Sequence, residues 1–441
     1  MRDYLTILGA GLAGSEAAWQ AAERGVSVVL YEMRPVKPTP AHKTDHCAEL
    51  VCSNSLGNNL SPSAPYLLKE ELRKFNSLVI DAGDTHAVPA GAALAVDREL
   101  FSKKITEQLL KHPNITLIRE EVTEIPSEGP VIVATGPLTS PRLSESISRL
   151  IGQEYLYFYD AISPIVDANT INYDKTFFAS RYDKGTDDYL NCPLNEGQYY
   201  SLVNELKNGE KVPFKSFEKP IYFEGCMPVE ELAMRGDKTL AFGPLKPVGL
   251  LHPETKEQFY AVVQLRHENK EGTAFNLVGF QTKLTYPEQK RVIRLIPGLE
   301  NVEFFRFGAI HRNTYINAPD VLSCELDLKK NSGIYFAGQI IGVEGYVESV
   351  SMGLLAALSA VKRIKGEVYS TPPVDTALGS LLKYVTETRR QSFQPMNINY
   401  GLFQVHEMKI RNKRERNKKI ELKALDSLSQ WMETINGELV K

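Results

Sequence analysis

The sequence predicts an α/β protein in which a doubly wound parallel sheet, assembled from both ends of the chain, is interrupted by a mixed α+β insertion. The chain opens on a short apolar run at residues 5–8, a glycine-rich turn and an Ala-rich helix, which is the order of a βαβ unit. From about Tyr155, aromatic and β-branched residues alternate with closely spaced turn signals, a pattern typical of antiparallel strands. Parallel-sheet character returns at residues 333–338, before a long Ala- and Leu-rich helix.

The elements of the first βαβ unit are marked by their ends. The helix over residues 15–24 is expected to stop at Gly25, because glycine readily takes the left-handed conformation that ends a helix. The second strand, residues 26–31, leads directly to Glu32. The remaining elements predicted for this part are helices and strands over residues 67–78, 98–110, 115–119 and 131–133.

The composition is that of a multi-domain globular protein. Its 441 residues suffice for about two or three domains. We expect residues 1–190 and 325–441 to form one discontinuous domain and residues 191–324 to form the insertion domain. The 51 basic and 54 acidic residues give a net charge of −3, which excludes a polycation of the histone or ribosomal kind but allows a local basic patch.

The chain shows no sign of a membrane or secreted protein. It contains no run of 18 apolar residues, so no transmembrane helix is predicted, and it opens on a strand rather than a basic leader. Five cysteines, an odd number in a long chain, argue against a disulfide scaffold. We therefore expect a cytoplasmic protein.

The turn after the first strand has the G-x-G-x-x-G spacing of a dinucleotide-binding motif. Such glycines permit a tight turn, close approach of a pyrophosphate and packing of helix on strand. Glu32, 18 residues beyond Gly14, supplies the carboxylate expected on a ribose hydroxyl and disfavours a 2′-phosphate. The alternative is a purely structural glycine turn. The candidate cofactor residues in this segment are Gly9, Ala10, Gly11, Leu12, Ala13, Gly14 and Glu32.

Two later segments distinguish FAD from NAD. The apolar strand at residues 131–133 ends in Ala-Thr-Gly with Gly136, and the segment ending at Gly338 leads on to Tyr346. Both resemble further signatures of flavoproteins of the glutathione-reductase type, so the sheet is predicted to be a Rossmann-like FAD-binding domain of that kind. Without a second G-x-G-x-x-G or a C-x-x-C, neither a dedicated nicotinamide domain nor a disulfide reductase is expected.

Two cysteines lie in segments suited to an exposed nucleophile. Cys52 is in a polar loop, and Cys226 is flanked by a glycine on one side and a Met-Pro pair on the other. A thiol of lowered pKa on such a turn is a nucleophile, although an unremarkable free cysteine is the alternative for each. Cys192 and Cys324 are interpreted as structural. Cys47 lies near two histidines, but the spacing matches no usual zinc pattern, so no metal site is predicted.

Three polar clusters each allow two interpretations. Arg266 and His311 each lie where an apolar strand ends in a run of hydrogen-bonding groups, which is either a solvated strand end or a substrate contact. Residues 409–419 contain seven basic residues and one glutamate. That run is either a solvated helix face or a contact to phosphates.

Nearly the whole chain resembles one family, the bacterial folate- and FAD-dependent tRNA (uracil-5-)-methyltransferases. The most specific segments are Cys-Ser-Asn-Ser at residues 52–55 and Gly-Cys-Met-Pro at residues 225–228. Further matching segments are residues 9–18, 31–35, 88–98, 311–317 and 342–349.

The resemblance implies that methylenetetrahydrofolate donates a carbon to carbon 5 of uridine 54 in the T arm of tRNA, with FAD reduced by NAD(P)H as reductant. Carbon 5 is a poor nucleophile, so a thiolate is needed at carbon 6. Cys226 is the expected thiolate and Cys52 the second catalytic group, and their roles are exchangeable. Tyr346 is expected against the isoalloxazine, and Arg266 and His311 on folate or uracil. The expected partner is tRNA, with no membrane and no obligate protein partner.

Three alternatives remain open. The same chemistry on ribosomal RNA is the narrowest. A simple flavin NAD(P)H oxidoreductase would use Cys52 as a redox thiol and turn over without RNA or folate. An FAD-stabilised RNA-binding protein without catalysis would not need Cys226 at all.

Overall fold

The computed structural model describes residues 4–39, 41–127, 129–152, 156–183, 187–213, 222, 227–253, 255–388, 393–403 and 410–437. Its strands are β1 (Tyr4–Leu8), β2 (Ser27–Glu32), β3 (Ser55–Asn58), β4 (Ala87–Val88), β5 (Ala93–Val96), β6 (Ile115–Arg119), β7 (Val131–Val133), β8 (Leu156–Ala161), β9 (Ile165–Asp167), β10 (Phe177–Phe178), β11 (Tyr189–Leu194), β12 (Ala261–His267), β13 (Ala274–Leu277), β14 (Phe304–Arg306), β15 (Ile310–Tyr315), β16 (Asp327–Leu328) and β17 (Asn331–Phe336).

The helices are α1 (Leu12–Ala22), α2 (Ala64–Lys74), α3 (Leu78–Thr85), α4 (Arg98–Lys111), α5 (Pro141–Ile151), α6 (Glu196–Asn208), α7 (Val229–Met234), α8 (Thr239–Phe242), α9 (Tyr286–Ile293), α10 (Ala318–Val321), α11 (Tyr346–Lys365), α12 (Ala377–Glu387) and α13 (Lys413–Gly437). In the portions of the chain that the structure covers, none of these helices combines the length and hydropathy needed to cross a membrane.

The first sheet has the strand order β16-β17-β7-β1-β2-β6 and is parallel except for β16. The chain runs outward from β1 through β2 to β6, then returns to the other side of β1 with β7 and β17. The strand order therefore reverses next to β1, the place where open α/β sheets bind their ligands. An α/β fold with a parallel sheet, as the sequence predicted, is confirmed.

One predicted helix is two helices. The prediction over residues 67–78 spans the end of α2 and the start of α3. Asn76 between them has a φ of 52°, in the left-handed region that interrupts a helix. The hydroxyl of Ser77 then accepts a hydrogen bond from the N–H of Ile80 and caps α3.

The dinucleotide turn, α1 and α11 are in backbone contact. A Cβ built on Gly353 of α11 would lie 2.2 Å from the carbonyl oxygen of Ala13, and one built on Gly14 would lie 1.8 Å from that of Gly9. The middle of α11 is buried on every side from Val347 to Val361, which explains why apolar and small residues predominate there. The turn is thus fixed between the sheet and a buried helix.

The second sheet is antiparallel, with the order β10-β11-β12-β13-β9-β14, and has its own cluster of buried apolar side chains. Strands β8 and β15 pair with each other next to it. The predicted domain boundary between residues 190 and 191 falls inside β11. Strands β9 and β10 also belong to this sheet, because their partners are later strands. The division into two domains stays a prediction.

The C-terminal helix α13 is amphipathic. Ile420, Ala424, Leu428, Trp431 and Ile435 are buried, and their spacing of three and four residues gives α13 one apolar face. This face joins the core of the first sheet. The basic run of the tail therefore continues into the first turns of a packed helix.

Substituting Gly353 by alanine should destabilise the protein by about 1–3 kcal/mol, because the new methyl meets backbone that cannot move freely. Gly197→Ala in α6 is the matched control. Its Cβ would lie 3.6 Å from the side chain of Asn195, an ordinary contact, so stability should stay the same or rise by up to about 1 kcal/mol. Calorimetric melting temperatures compare the two. Equal melting temperatures for the two variants would show that the close contact between α1 and α11 does not exclude a side chain at position 353.

Candidate functional site

The carboxyl ends of β1, β2, β7 and β17 meet around a cavity that, with the open solvent at its mouth, has about 1040 Å³ of empty space, and we call it the switch-point cavity. The predicted cofactor residues that line it are Gly9, Gly11, Leu12, Ala13, Glu32, Gly136, Gly338 and Tyr346. Ala10 and Gly14 are placed differently. Ala10 is buried and bonds Glu32 through its backbone N–H, and Gly14 packs beneath Gly9.

Part of the cavity wall is formed by glycines, and the space that side chains would otherwise fill is an open recess, which we call the cradle. A Cβ on Gly11 or Gly136 would meet no atom of the described chain within 4 Å, although both residues line the cavity. Helix α1 begins at Leu12, so its free N–H groups and partial positive charge lie at the same wall. These features fit the pyrophosphate of a dinucleotide.

Glu32 is held as an anion at the end of β2. One carboxylate oxygen accepts from the N–H of Ala10 at 3.0 Å, and the other accepts from Nε of Arg34 at 2.9 Å. Burial by itself would raise the pKa of Glu32, but the hydrogen bonds and charge of Arg34 and the Ala10 N–H lower it overall. Arg34 also pairs with Glu49 at 3.0 Å. Sequence reasoning assigned no role to Arg34, although it follows Glu32 by only two residues.

A second cavity, with about 1210 Å³ of empty space when the open solvent at its mouth is included, has Cys52 in its wall, and we call it the Cys52 cavity. It adjoins the switch-point cavity, because the two share the lining residues Val51, Pro137, Leu138, Gln339 and Tyr346. A ligand extending from the nucleotide cradle would therefore be directed toward the thiol.

The loop that contains Cys52 is fixed by Tyr346, the first residue of α11. The Tyr346 hydroxyl accepts hydrogen bonds from the backbone N–H of Cys52 at 2.8 Å and of Ser53 at 3.2 Å. Burial raises the pKa of Tyr346, so the phenol stays neutral. The thiol itself lies 3.9 Å from the carbonyl oxygen of Ala161. The predicted contact of Tyr346 with an isoalloxazine stays a prediction, whereas its bond to the Cys52 loop was not foreseen.

The same loop is held from the second sheet. Nε of Arg266 donates to Oδ1 of Asn54 at 3.0 Å, and the Asn54 amide donates to the carbonyl oxygens of Val96 and His267. Arg266 is buried and is not among the residues that line either cavity. Through its hydrogen bond to Asn54, Arg266 holds the Cys52 loop in place indirectly. A contact of Arg266 with substrate stays a prediction.

The other two predicted site residues are His311 and Cys226. The backbone of His311 pairs with Asp160 across β15 and β8, which places it one strand from the Cys52 cavity. The His311 side chain and the whole of Cys226 lie outside the described residues. A juxtaposition of the two cysteines therefore stays a prediction.

Cationic groups surround the Cys52 loop. Arg98 donates to the carbonyl oxygen of Leu50 and to the carboxylate of Glu268, the latter at 3.0 Å from Nε. Both Arg98 and Arg306 interact electrostatically with Cys52. No local sequence pattern indicates this arrangement, because the three segments are far apart along the chain.

Carboxyl groups also line the Cys52 cavity. Asp160, Glu344 and Glu348 are all in its wall. Burial raises the pKa of Glu344 well above its usual range, with the nearby charge of Asp160 adding to the effect, and burial raises the pKa of Glu348 to about 7. A protonated Glu344 can donate a hydrogen bond to a bound ring. In the sequence, the signal for these buried acids is the position of Glu344 and Glu348 on either side of Tyr346, in a largely apolar segment.

Cys47 is a buried structural thiol. It is fully inaccessible, its backbone N–H donates to Thr106 at 2.8 Å, and burial raises its pKa to about 11. Within the described residues no group of three or more His, Cys, Asp or Glu side chains could hold a metal ion.

Comparison with known proteins gives concordant results. The GIDA family model, described as glucose inhibited division protein A, matches residues 4–368. The structure of Aquifex aeolicus GidA has a TM-score of 0.71 at 18% identity and covers 98% of this chain and 73% of that chain, which shows a shared fold.

Three curated relatives are much more similar in sequence, and each is named methylenetetrahydrofolate--tRNA-(uracil-5-)-methyltransferase TrmFO. The Natranaerobius thermophilus protein is 57% identical over 97% of this chain and 99% of its own length. The Geobacter sulfurreducens protein is 56% identical over 99% and 100%, and the Bacillus subtilis protein 53% identical over 98% and 99%. The resemblance found in the sequence is thereby confirmed, and this chain belongs to the methylenetetrahydrofolate--tRNA-(uracil-5-)-methyltransferase family.

Proposed function

We propose that this protein methylates carbon 5 of a T-arm uridine in tRNA, with methylenetetrahydrofolate as carbon donor and FAD, reduced by NAD(P)H, as reductant. The main structural support is the junction of a dinucleotide cradle with a cavity that contains Cys52. The shared name of the full-length relatives supports the same substrate and donor. The first sheet with its helices is the glutathione-reductase-like FAD domain, and the antiparallel sheet is the insertion domain.

The residues present fit FAD. Gly11 and the start of α1 receive the pyrophosphate, and Glu32 accepts from a ribose hydroxyl. Glu32 already accepts from Ala10 and Arg34, but a carboxylate has about four lone-pair sites, so one further donor can be accommodated. When bound, FAD supplies the two electrons that convert the transferred methylene to a methyl group.

The protein supplies the nucleophile and its surroundings. A thiolate adds to carbon 6 of uracil, which makes carbon 5 nucleophilic toward the donated carbon, and a second group removes the carbon-5 proton. Cys226 and Cys52 perform these two steps in exchangeable roles. Tyr346 and Asn54 keep the Cys52 loop in place through their hydrogen bonds, so the thiol is oriented before substrate binds.

The direct test is an anaerobic assay on unmodified tRNA with methylenetetrahydrofolate and NADPH, in which nucleosides are identified by mass spectrometry. Methyluridine at the T-arm position is expected with folate and not with S-adenosylmethionine. Unmodified ribosomal RNA in a parallel reaction tests the alternative substrate. NADPH oxidation in air with no methyluridine from either RNA would favour the simple flavin oxidoreductase.

Replacing either Cys52 or Cys226 by alanine should lower the rate of methyluridine formation about 10²-fold or more, because each removes a group that reacts with uracil. Cys324→Ala is the control, since this thiol is exposed and lines neither cavity. All three variants should still bind FAD. Full methylation by Cys52→Ala would remove this residue from the mechanism.

Glu32→Gln should weaken FAD binding about tenfold to a hundredfold. The amide has only one accepting oxygen, which cannot accept hydrogen bonds from the ribose hydroxyl, Ala10 and Arg34 together. Flavin reconstitution of the apoprotein, followed by absorbance, gives the dissociation constant. Glu107→Gln removes the same charge from an exposed site on α4 and should leave FAD affinity unchanged. Unchanged affinity in both variants would contradict the assignment of Glu32.

A further inference from the structure

A groove of about 1470 Å³ lies beside the Cys52 cavity, between the start of α2, residues 398–403 and the first turns of α13. We call it the α13 groove. Its walls combine apolar, aromatic and basic groups: Pro62, Ser63, Ala64, Pro65, Ile398, Asn399, Tyr400, Gly401, Phe403, Lys413, Arg416, Asn417 and Ile420. The proposed function leaves this groove without a role.

The groove and the Cys52 cavity share a wall. Pro65 lines both, and Asn397 in the cavity is followed directly by Ile398 in the groove. A substrate that places one unit next to Cys52 would therefore extend its neighbouring units toward the groove.

One face of α13 supplies positive charge to the groove. Lys413, Arg416, Asn417 and Ile420 follow the three- and four-residue spacing of a single helix face, and all four line the groove. Within the described residues neither Lys413 nor Arg416 forms an ion pair, whereas the nearby Lys418 is paired with Glu421. The two cations on this face would attract an anionic ligand.

The groove walls also contain an aromatic ring and two polar atoms that have no hydrogen-bond partner among the described residues. Oδ1 of Asn417, in a residue 8% exposed, and the Tyr400 hydroxyl have no hydrogen-bond partner in the described parts of the chain. Buried polar atoms without partners are costly, so a ligand that pairs with them is stabilised. The ring of Tyr400 lies 5.4 Å from that of the buried Phe403, so Tyr400 is the aromatic side chain of the groove against which a base can stack.

We propose that the α13 groove binds the nucleotides next to the target uridine, with Lys413 and Arg416 on their phosphates. A target base in a folded RNA arm must leave its stack to reach a thiol, which also exposes the neighbouring backbone. Cations that form no ion pair with other described residues, the ring of Tyr400 and direct continuity with the Cys52 cavity match such a strand. The inference rests on the proposed function, because it takes the RNA that is methylated to be the occupant.

The test compares two double variants with the same change in charge. Lys413→Gln/Arg416→Gln removes the groove cations, and Arg414→Gln/Lys419→Gln removes two exposed cations of the same helix that do not line the groove. Binding of unmodified tRNA is measured by fluorescence anisotropy over a range of KCl concentrations. The groove variant should bind about tenfold or more weakly at low salt, and its slope of log K against log salt should become shallower by about 0.7–0.9 for each phosphate that is no longer neutralised.

The control variant should keep both the affinity and the slope of the wild type. NADPH-driven flavin reduction without RNA and the melting temperature should be unchanged in both variants, since neither pair lies in the FAD or cysteine site. Equally weakened binding in the two double variants, or unchanged binding in the groove variant, would overturn the inference. If wild-type protein does not methylate tRNA at all, the proposed function fails instead.

A second measurement locates the contact on the RNA. Neutral methylphosphonate linkages are placed beside the target uridine of a stem-loop substrate. They should weaken binding to the wild type and have little further effect on the groove variant, because both changes remove the same interactions. Fully additive effects would show that the groove cations bind another part of the RNA and would overturn the proposal.

Discussion

The close approach of the dinucleotide turn, α1 and α11 is the constraint on which the rest of the site depends. Gly14 allows the backbone of α1 to lie beneath the Gly9 carbonyl, and Gly353 allows α11 to lie against Ala13. Because no side chain separates these segments, the start of α1, the ends of the parallel strands and the start of α11 are fixed together. The position of Tyr346 relative to the cradle is therefore fixed.

Tyr346 extends this constraint to the thiol. Its hydroxyl accepts the N–H groups of Cys52 and Ser53, so the helix that packs on the nucleotide turn also positions the Cys52 loop. Arg266 of the second sheet reaches the same loop through Asn54. A loop held by α11 and by the second sheet can keep a reactive group in place while substrates enter and leave.

The pKa values of buried carboxyl groups shift in opposite directions in the two adjoining cavities. Glu32 is buried, yet Arg34 and a backbone N–H compensate its charge and lower its pKa. Glu344 and Glu348 have weaker compensation, so burial raises the pKa of each. One cavity thus contains an anion suited to accept from a ribose, and the other contains two carboxyl groups that burial makes easier to protonate. The difference arises from the partners of each group and not from its depth.

Short local patterns and specific motifs were enough to establish the parallel strands, the glycine turn, Glu32 and the family from the amino-acid sequence. Three further features required the folded chain: β9 and β10 pair with later strands, Arg34 compensates Glu32, and Arg266 holds Asn54. The basic residues of α13 likewise line a groove only because the helix packs beside α2. The periodicity of the sequence indicates on which face of a helix or strand a residue lies. The partner that packs against that face is decided by contacts between distant parts of the chain, which only the folded structure shows.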